Sequence, residues 1–176
     1  AEGMKRAVLA GITSIEHGSL MTEVVMDLMV ERGTYYVPTL SAGAFTTQKA
    51  EIEGYYPEII IPKAKYIGTQ MKGTFGKAYA KGVKIAFGTD CGVSPHGDNA
   101  LEFHYMVEAG MSPEDAIKSA TIESAKLLRM EDEIGLIKKG FSADIVAVKS
   151  DPLKDIDVLQ NVLFVMKQGK VFKFEE

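Results

Sequence analysis

The sequence predicts an α/β fold in which short parallel strands deliver polar residues to one end of a sheet. Two strand-like strings and the helical segments between them carry that prediction. Lys84-Ile85-Ala86-Phe87-Gly88 is an apolar run closed by a glycine, which reads as a buried strand. It stops on Thr89-Asp90 and opens into the loop Cys91-Gly92-Val93-Ser94-Pro95-His96-Gly97. Thr13-Ser14-Ile15-Glu16-His17-Gly18 is a second short strand, and it too ends on a potential metal ligand. A carboxylate at the C-terminal lip of a buried parallel strand sits where α/β barrels place their chemistry.

The elements between these strings repeat as strand, loop, helix. Met21, Val24, Val25, Leu28 and Met29 follow the i, i+3, i+4, i+7, i+8 spacing of one helix face, with Thr22 placed to cap the start and Gly33 to end it. Residues 35–40 read as the next strand, with Pro38 near its end. Residues 41–56, rich in Ser, Thr, Ala and Gly, are expected to form a long strand-to-helix loop, of the kind that lines an active-site face and often closes as a lid. A helical stretch over 56–81 follows, in which Pro57 and Pro62 imply a break or a late start. Gly82 then leads into the strand that carries Asp90.

Asp98 is placed to cap a helix running through Leu101, Tyr105 and Glu108 to Gly110, with His104 inside it in a packing or surface role. Ser112 as N-cap, Pro113 at the first helical position, then Glu114 and Asp115 mark the next helix start. Ala116, Ile117, Ala120, Leu127 and Leu128 are expected to supply its buried side. Beyond about Met130 the pattern turns strand-like: Ile145-Val146-Ala147-Val148, Val162-Leu163-Phe164-Val165-Met166 and Lys170-Val171-Phe172-Lys173, with turns at Asp151-Pro152 and Gln168-Gly169. Two regions result, 1–130 and 131–176.

Each site residue also has a structural reading. A strand-end aspartate can be a turn former or a helix cap, and a lone histidine can be a packed polar residue. The pair His17 and Asp90 is more informative than either, because both fall at equivalent strand ends. A catalytic zinc site nevertheless needs about three protein ligands and an open position. Alternation along the strand turns Glu16 away from His17, toward a structural role. Cys91, the single cysteine, excludes an internal disulfide or a thiolate metal cluster and reads as a small hydrophobe at the rim.

Ile15-Glu16-His17-Gly18, Val37-Pro38-Thr39-Leu40, Phe87-Gly88-Thr89-Asp90 and Pro95-His96-Gly97-Asp98-Asn99 together resemble the C-terminal half of the amidohydrolase superfamily, in particular its imidazolonepropionase-like and Xaa-Pro dipeptidase-like branch. Gly110-Met111-Ser112-Pro113-Glu114-Asp115-Ala116, Ile134-Gly135-Leu136-Ile137-Lys138-Lys139-Gly140, Ala143-Asp144-Ile145-Val146-Ala147-Val148 and Val165-Met166-Lys167-Gln168-Gly169-Lys170-Val171 continue the resemblance in family order. It implies the C-terminal part of a TIM-like (β/α)8 metal-dependent hydrolase barrel, covering strands six to eight, followed by strands of a small β-sandwich.

The resemblance also implies roles. His17 corresponds to the family's sixth-strand metal-ligating histidine and Asp90 to its eighth-strand aspartate, which both ligates metal and acts in catalysis. His96 becomes a candidate substrate contact. The family's first-strand His-x-His occurs nowhere in the chain, and the lysine of its fourth strand and histidine of its fifth would precede Ala1. The expected cofactor is therefore a divalent metal, zinc suiting a His-plus-carboxylate set best, with one or two ions in a longer parent and weak occupancy here. The expected substrate is a small molecule or dipeptide with an amide, cyclic amide or peptide C–N bond.

Length and composition agree with this reading. The 176 residues suffice for one core but fall short of the roughly 250 of a complete barrel. A net charge of −4, from 20 basic and 24 acidic residues with no basic stripe, argues against a nucleic-acid partner. No apolar run approaches the ~20 residues of a membrane span, and no signal-peptide pattern opens the chain. A cytoplasmic location is expected, with a secreted or periplasmic parent left open. Two other readings remain: a noncatalytic half-barrel that self-associates, and one component of an enzyme completed by a second polypeptide. Homo-oligomers or association with a missing N-terminal half are the expected partners.

Overall fold

Ile15, Tyr36 and Ile85 lie side by side across three short parallel strands, the register pairing Ile15 with Tyr36 and Tyr36 with Ile85. A computed structural model describes residues 1–175. Its strands are β1 (Ser14–Glu16), β2 (Tyr35–Val37) and β3 (Lys84–Ile85), in that spatial order. The middle strand is buried throughout, which suits its continuous Tyr-Tyr-Val run. Ladder bonding extends past β3, since the Ala86 N–H donates to the Tyr36 carbonyl at 3.0 Å, although regular pairing over the expected 84–88 is confined to Lys84–Ile85.

Helices cover this sheet: α1 (Glu2–Leu9), α2 (Glu23–Arg32), α3 (Leu40–Lys49), α4 (Ile61–Ala80), α5 (Leu101–Glu108), α6 (Pro113–Lys118) and α7 (Ser124–Leu127). α2 ends on Gly33 with φ 69°, the left-handed C-cap that glycine adopts without a Cβ penalty. Thr22 occupies the N-cap of α2 but makes no side-chain cap bond. Pro62 opens α4, as its fixed φ and missing N–H favour. Ser112 caps α6 by accepting from the Asp115 N–H at 3.1 Å. Met26, Met29, Tyr36, Phe75 and Met106 are essentially sealed from solvent, and each such side chain contributes on the order of 2 kcal/mol of burial.

Four expectations are corrected. Residues 41–56 are not a loop, because α3 occupies Leu40–Lys49 and the strand expected over 35–40 ends at Val37. α3 packs closely against α4 at Gly68, which has no Cβ: one there would collide with Thr47 Oγ1 and lie 2.7 Å from the Gly43 carbonyl. Asp98 does not cap α5; it begins a 3₁₀ turn, Asp98–Ala100, whose N-cap is Gly97. Leu128 is 62% exposed, because a π turn over Ser119–Glu123 adds a residue and rotates the buried face onto Ser119 and Ala125.

The last region forms a separate antiparallel sheet, β4 (Ile145–Val148), β5 (Val162–Lys167) and β6 (Lys170–Phe174). Gln168 and Gly169, at φ 49° and 77°, make the two-residue turn of the β5–β6 hairpin with both φ values positive. β6 is an open edge whose Phe172 and Phe174 are exposed. His104 on α5 meets Asp157 of this region at 3.0 Å, a surface contact.

Candidate active site at the strand ends

Beyond each strand of the parallel sheet the chain turns through a left-handed backbone at a residue that is not glycine: His17 (φ 61°), Thr39 (φ 52°) and Asp90 (φ 51°). This conformation costs an L-residue roughly 1–2 kcal/mol, and it persists where surrounding bonds over-determine it. At His17 those bonds are visible. Its N–H donates to the Val37 carbonyl at 2.9 Å, and its own carbonyl accepts the Tyr36 hydroxyl at 2.9 Å. Its ring Nδ1 lies 2.8 Å from Thr39 Oγ1. Gly18 follows because nothing larger fits: a Cβ there would lie 2.7 Å from the Tyr36 ring. Burial, reinforced by the charge of Glu102, raises the Tyr36 phenol well above its ordinary value, so it stays protonated and donates.

Glu102 is the second organising group. It is 0% exposed, and its two carboxylate oxygens accept the N–H groups of Leu40 (2.8 Å) and Ser41 (2.7 Å) at the start of α3. These are orphan donors of a helix N-terminus, where the macrodipole also favours negative charge. Burial pushes the Glu102 pKa up, while the Ser41 and Leu40 N–H bonds pull it back. This long-range cap is why residues after Thr39 are helical.

His17 and Asp90 are both exposed, and both line one cavity of about 420 Å³. Its remaining wall is largely apolar, with Ala42 from α3 and Ala64, Ile67 and Met71 from α4, and Lys63 supplies a cation. The structure does not bring His96 to this cavity. His96 is exposed on the 91–97 loop, which is held by the Cys91 thiol against the Pro95 carbonyl at 3.2 Å and by Asn99 donating to Thr89 Oγ1 at 3.3 Å. Cys91 is half-buried at that loop rather than packed in the core.

An imidazole and a carboxylate at the mouth of one cavity suit a first-row divalent ion, and a partner on one ring nitrogen is what orients metal-binding histidines. The donor set therefore fits such an ion in part. Among the described residues no group of three or more His, Cys, Asp or Glu side chains converges on a point. No helix among them is long and apolar enough to cross a membrane.

Thr39, Tyr36 and Glu102 have roles that pattern reading missed. For Glu102 a signal existed: it lies four residues before Met106, on the face that α5 buries, and a carboxylate there must find buried donors. Nothing local marks Thr39, whose partner is 22 residues away.

A family model described as "Amidohydrolase family" matches residues 1–172. A solved Xaa-Pro dipeptidase with methionine bound in its active site superimposes with a TM-score of 0.95 at 58% identity, over 98% of this chain and 43% of that one. Ochratoxinase of Aspergillus niger is 37% identical over 97% of this chain and 36% of its own length. Imidazolonepropionase of Cutibacterium acnes is 25% identical over 84% of this chain and 32% of its own. The chain thus spans about two fifths of these relatives or less, and the three parallel strands with their helices are the C-terminal part of the barrel fold.

Proposed function

The chain belongs to the amidohydrolase family, and on that premise we propose that the protein it forms hydrolyses amide or dipeptide C–N bonds of small substrates with a divalent metal, zinc suiting the ligands best. The observation that carries this reading is the convergence of His17 and Asp90, from β1 and from the segment after β3, on one cavity. The relatives include a dipeptidase whose active site holds methionine, an amino acid with an apolar side chain. The apolar wall formed by Ala42, Ala64, Ile67 and Met71 offers space for such a group.

The residues divide the work. A divalent ion supplies, when bound, acidification of a water molecule and polarisation of the scissile carbonyl. His17 would hold it through a neutral ring nitrogen. The Asp90 carboxylate would hold it too, accept the proton of the attacking water and return that proton to the departing nitrogen, which leaves as a neutral amine. The α3–α4 wall packs the substrate side chain and excludes water from that side. Two ligands are short of the about three that a catalytic zinc site uses. The remainder are assigned to sequence beyond these 176 residues, in the same polypeptide or a second one.

The test is dipeptide hydrolysis by the full-length protein together with its metal content. Asp90→Asn should lower kcat by at least about 10²-fold, the lower end of what a positioned acid–base group contributes, and His17→Asn, which removes a ligand, should lower kcat and metal content together. Undiminished hydrolysis in both variants would overturn the reading.

A further inference from the structure

Thr39 stands at the N-cap of α3, where a threonine hydroxyl ordinarily accepts an N–H from its own helix. Here it makes no such bond. Its Oγ1 instead lies 2.7 Å from the Pro38 carbonyl and 2.8 Å from His17 Nδ1. A hydroxyl carries one proton, and a carbonyl oxygen can only accept. Both contacts are hydrogen bonds at once only when the Thr39 proton goes to Pro38 and the hydroxyl oxygen presents a lone pair to His17. Nδ1 must then carry the ring hydrogen, which leaves the lone pair of a neutral imidazole on Nε2.

The diverted cap is replaced from elsewhere. Glu102, on α5, accepts the first two N–H groups of α3 with both oxygens, and it is fully buried while doing so. Without that carboxylate the orphan N–H groups at the start of α3 would compete for the hydroxyl of Thr39, its N-cap residue. Glu102 thereby frees Thr39 for His17 and helps hold a β-branched residue at φ 52°.

We propose that Thr39 and Glu102 are positioning residues that fix His17 as its Nδ1–H tautomer, so that Nε2 is the nitrogen offered to the reacting centre. The assignment rests on the proposed function only for what Nε2 faces, since the hydrogen bonds that set the tautomer are internal to the chain.

The experiment reads the ring directly. The chain has three histidines, so long-range ¹H–¹⁵N spectra of the metal-free protein at a pH where the imidazoles are neutral give three ring patterns, and His17→Gln identifies the relevant one by its loss. The expected result is a single Nδ1–H pattern for His17. Thr39→Val should move it toward the Nε2–H form that free imidazole prefers, and Thr39→Ser, which keeps the hydroxyl and is less prone to disturb packing, should retain the wild-type pattern. Glu102→Gln, which keeps the size but offers only one acceptor oxygen, should give a mixture. Zinc affinity should fall about 10- to 100-fold in Thr39→Val, as for other groups that orient a metal-binding histidine, and recover in Thr39→Ser. An Nε2–H ring in the wild type, or loss of Nδ1–H in a folded Thr39→Ser, overturns the proposal. An Nδ1–H ring in a full-length protein that hydrolyses no amide would sink the proposed function and leave this assignment standing.

Discussion

The Tyr36 hydroxyl donates to the His17 carbonyl at 2.9 Å, so the fully buried ring at the centre of the sheet holds the backbone of an edge-strand residue in its left-handed turn. This bond joins core and site, beside the one from the His17 N–H to the Val37 carbonyl. Tyr36→Phe keeps the ring and removes the donor. It should cost about 1 kcal/mol of stability, the net worth of one hydrogen bond. Activity should fall further than that loss explains, because the His17 turn would be released. Chemical denaturation and kcat measured on the same preparation check this, and a variant of unchanged kcat would separate the tyrosine from the site.

Asp90→Asn should abolish turnover, since an amide cannot take the proton of the attacking water. The two side chains are nearly isosteric and Asp90 is exposed, so the stability change should stay within about 0.5 kcal/mol. A melting curve alongside the hydrolysis assay distinguishes lost chemistry from lost fold.

Asp115 adds one pH-dependent contribution to the helical region. The Tyr79 hydroxyl at 2.6 Å, and then Ser112, hold its carboxyl below the ordinary value of 3.8. A depressed folded pKa means that this contribution is complete above the unfolded value and is lost as pH falls through the folded one. Stability should therefore decline as the pH drops below about 3.8, and Tyr79→Phe should flatten that decline. Urea melts of both proteins from pH 2 to 6 would show whether the two slopes differ.

The chain should self-associate at micromolar concentration. β6 is an open edge with Phe172 64% and Phe174 70% exposed, and Ile59 and Ile137 are exposed to 85% and 86%. Open edges and apolar surface of this kind favour pairing with another copy. Static light scattering should report a mass above 19.2 kDa. A clean monomer would show that these surfaces are tolerated in water.

What could be read in the residues was local. The α/β order, the strand that ends just before His17, the Ser112 cap and the Gln168-Gly169 hairpin all follow from short-range pattern and turn chemistry. The start of α3 could not be read, because its cap is Glu102, some 60 residues away, and residues 41–56 carry loop-like composition. The π turn was equally hidden: one added residue moved Leu128 to the surface without altering the apolar pattern. At the site, the identity of two possible ligands was legible, while Thr39 and Tyr36 became visible only through contacts made in the fold. His96 lies near Asp90 in sequence, and it is not among the residues that line the cavity.

An anomalous-difference map at the zinc edge, from crystals of the full-length protein grown with zinc, tests the site most directly. It should place zinc within bonding distance of both residues, about 2.0–2.1 Å from His17 Nε2 and about 2.0–2.2 Å from an Asp90 oxygen. A fully occupied zinc bound by neither His17 nor Asp90, or held through His17 Nδ1, would contradict the site described here.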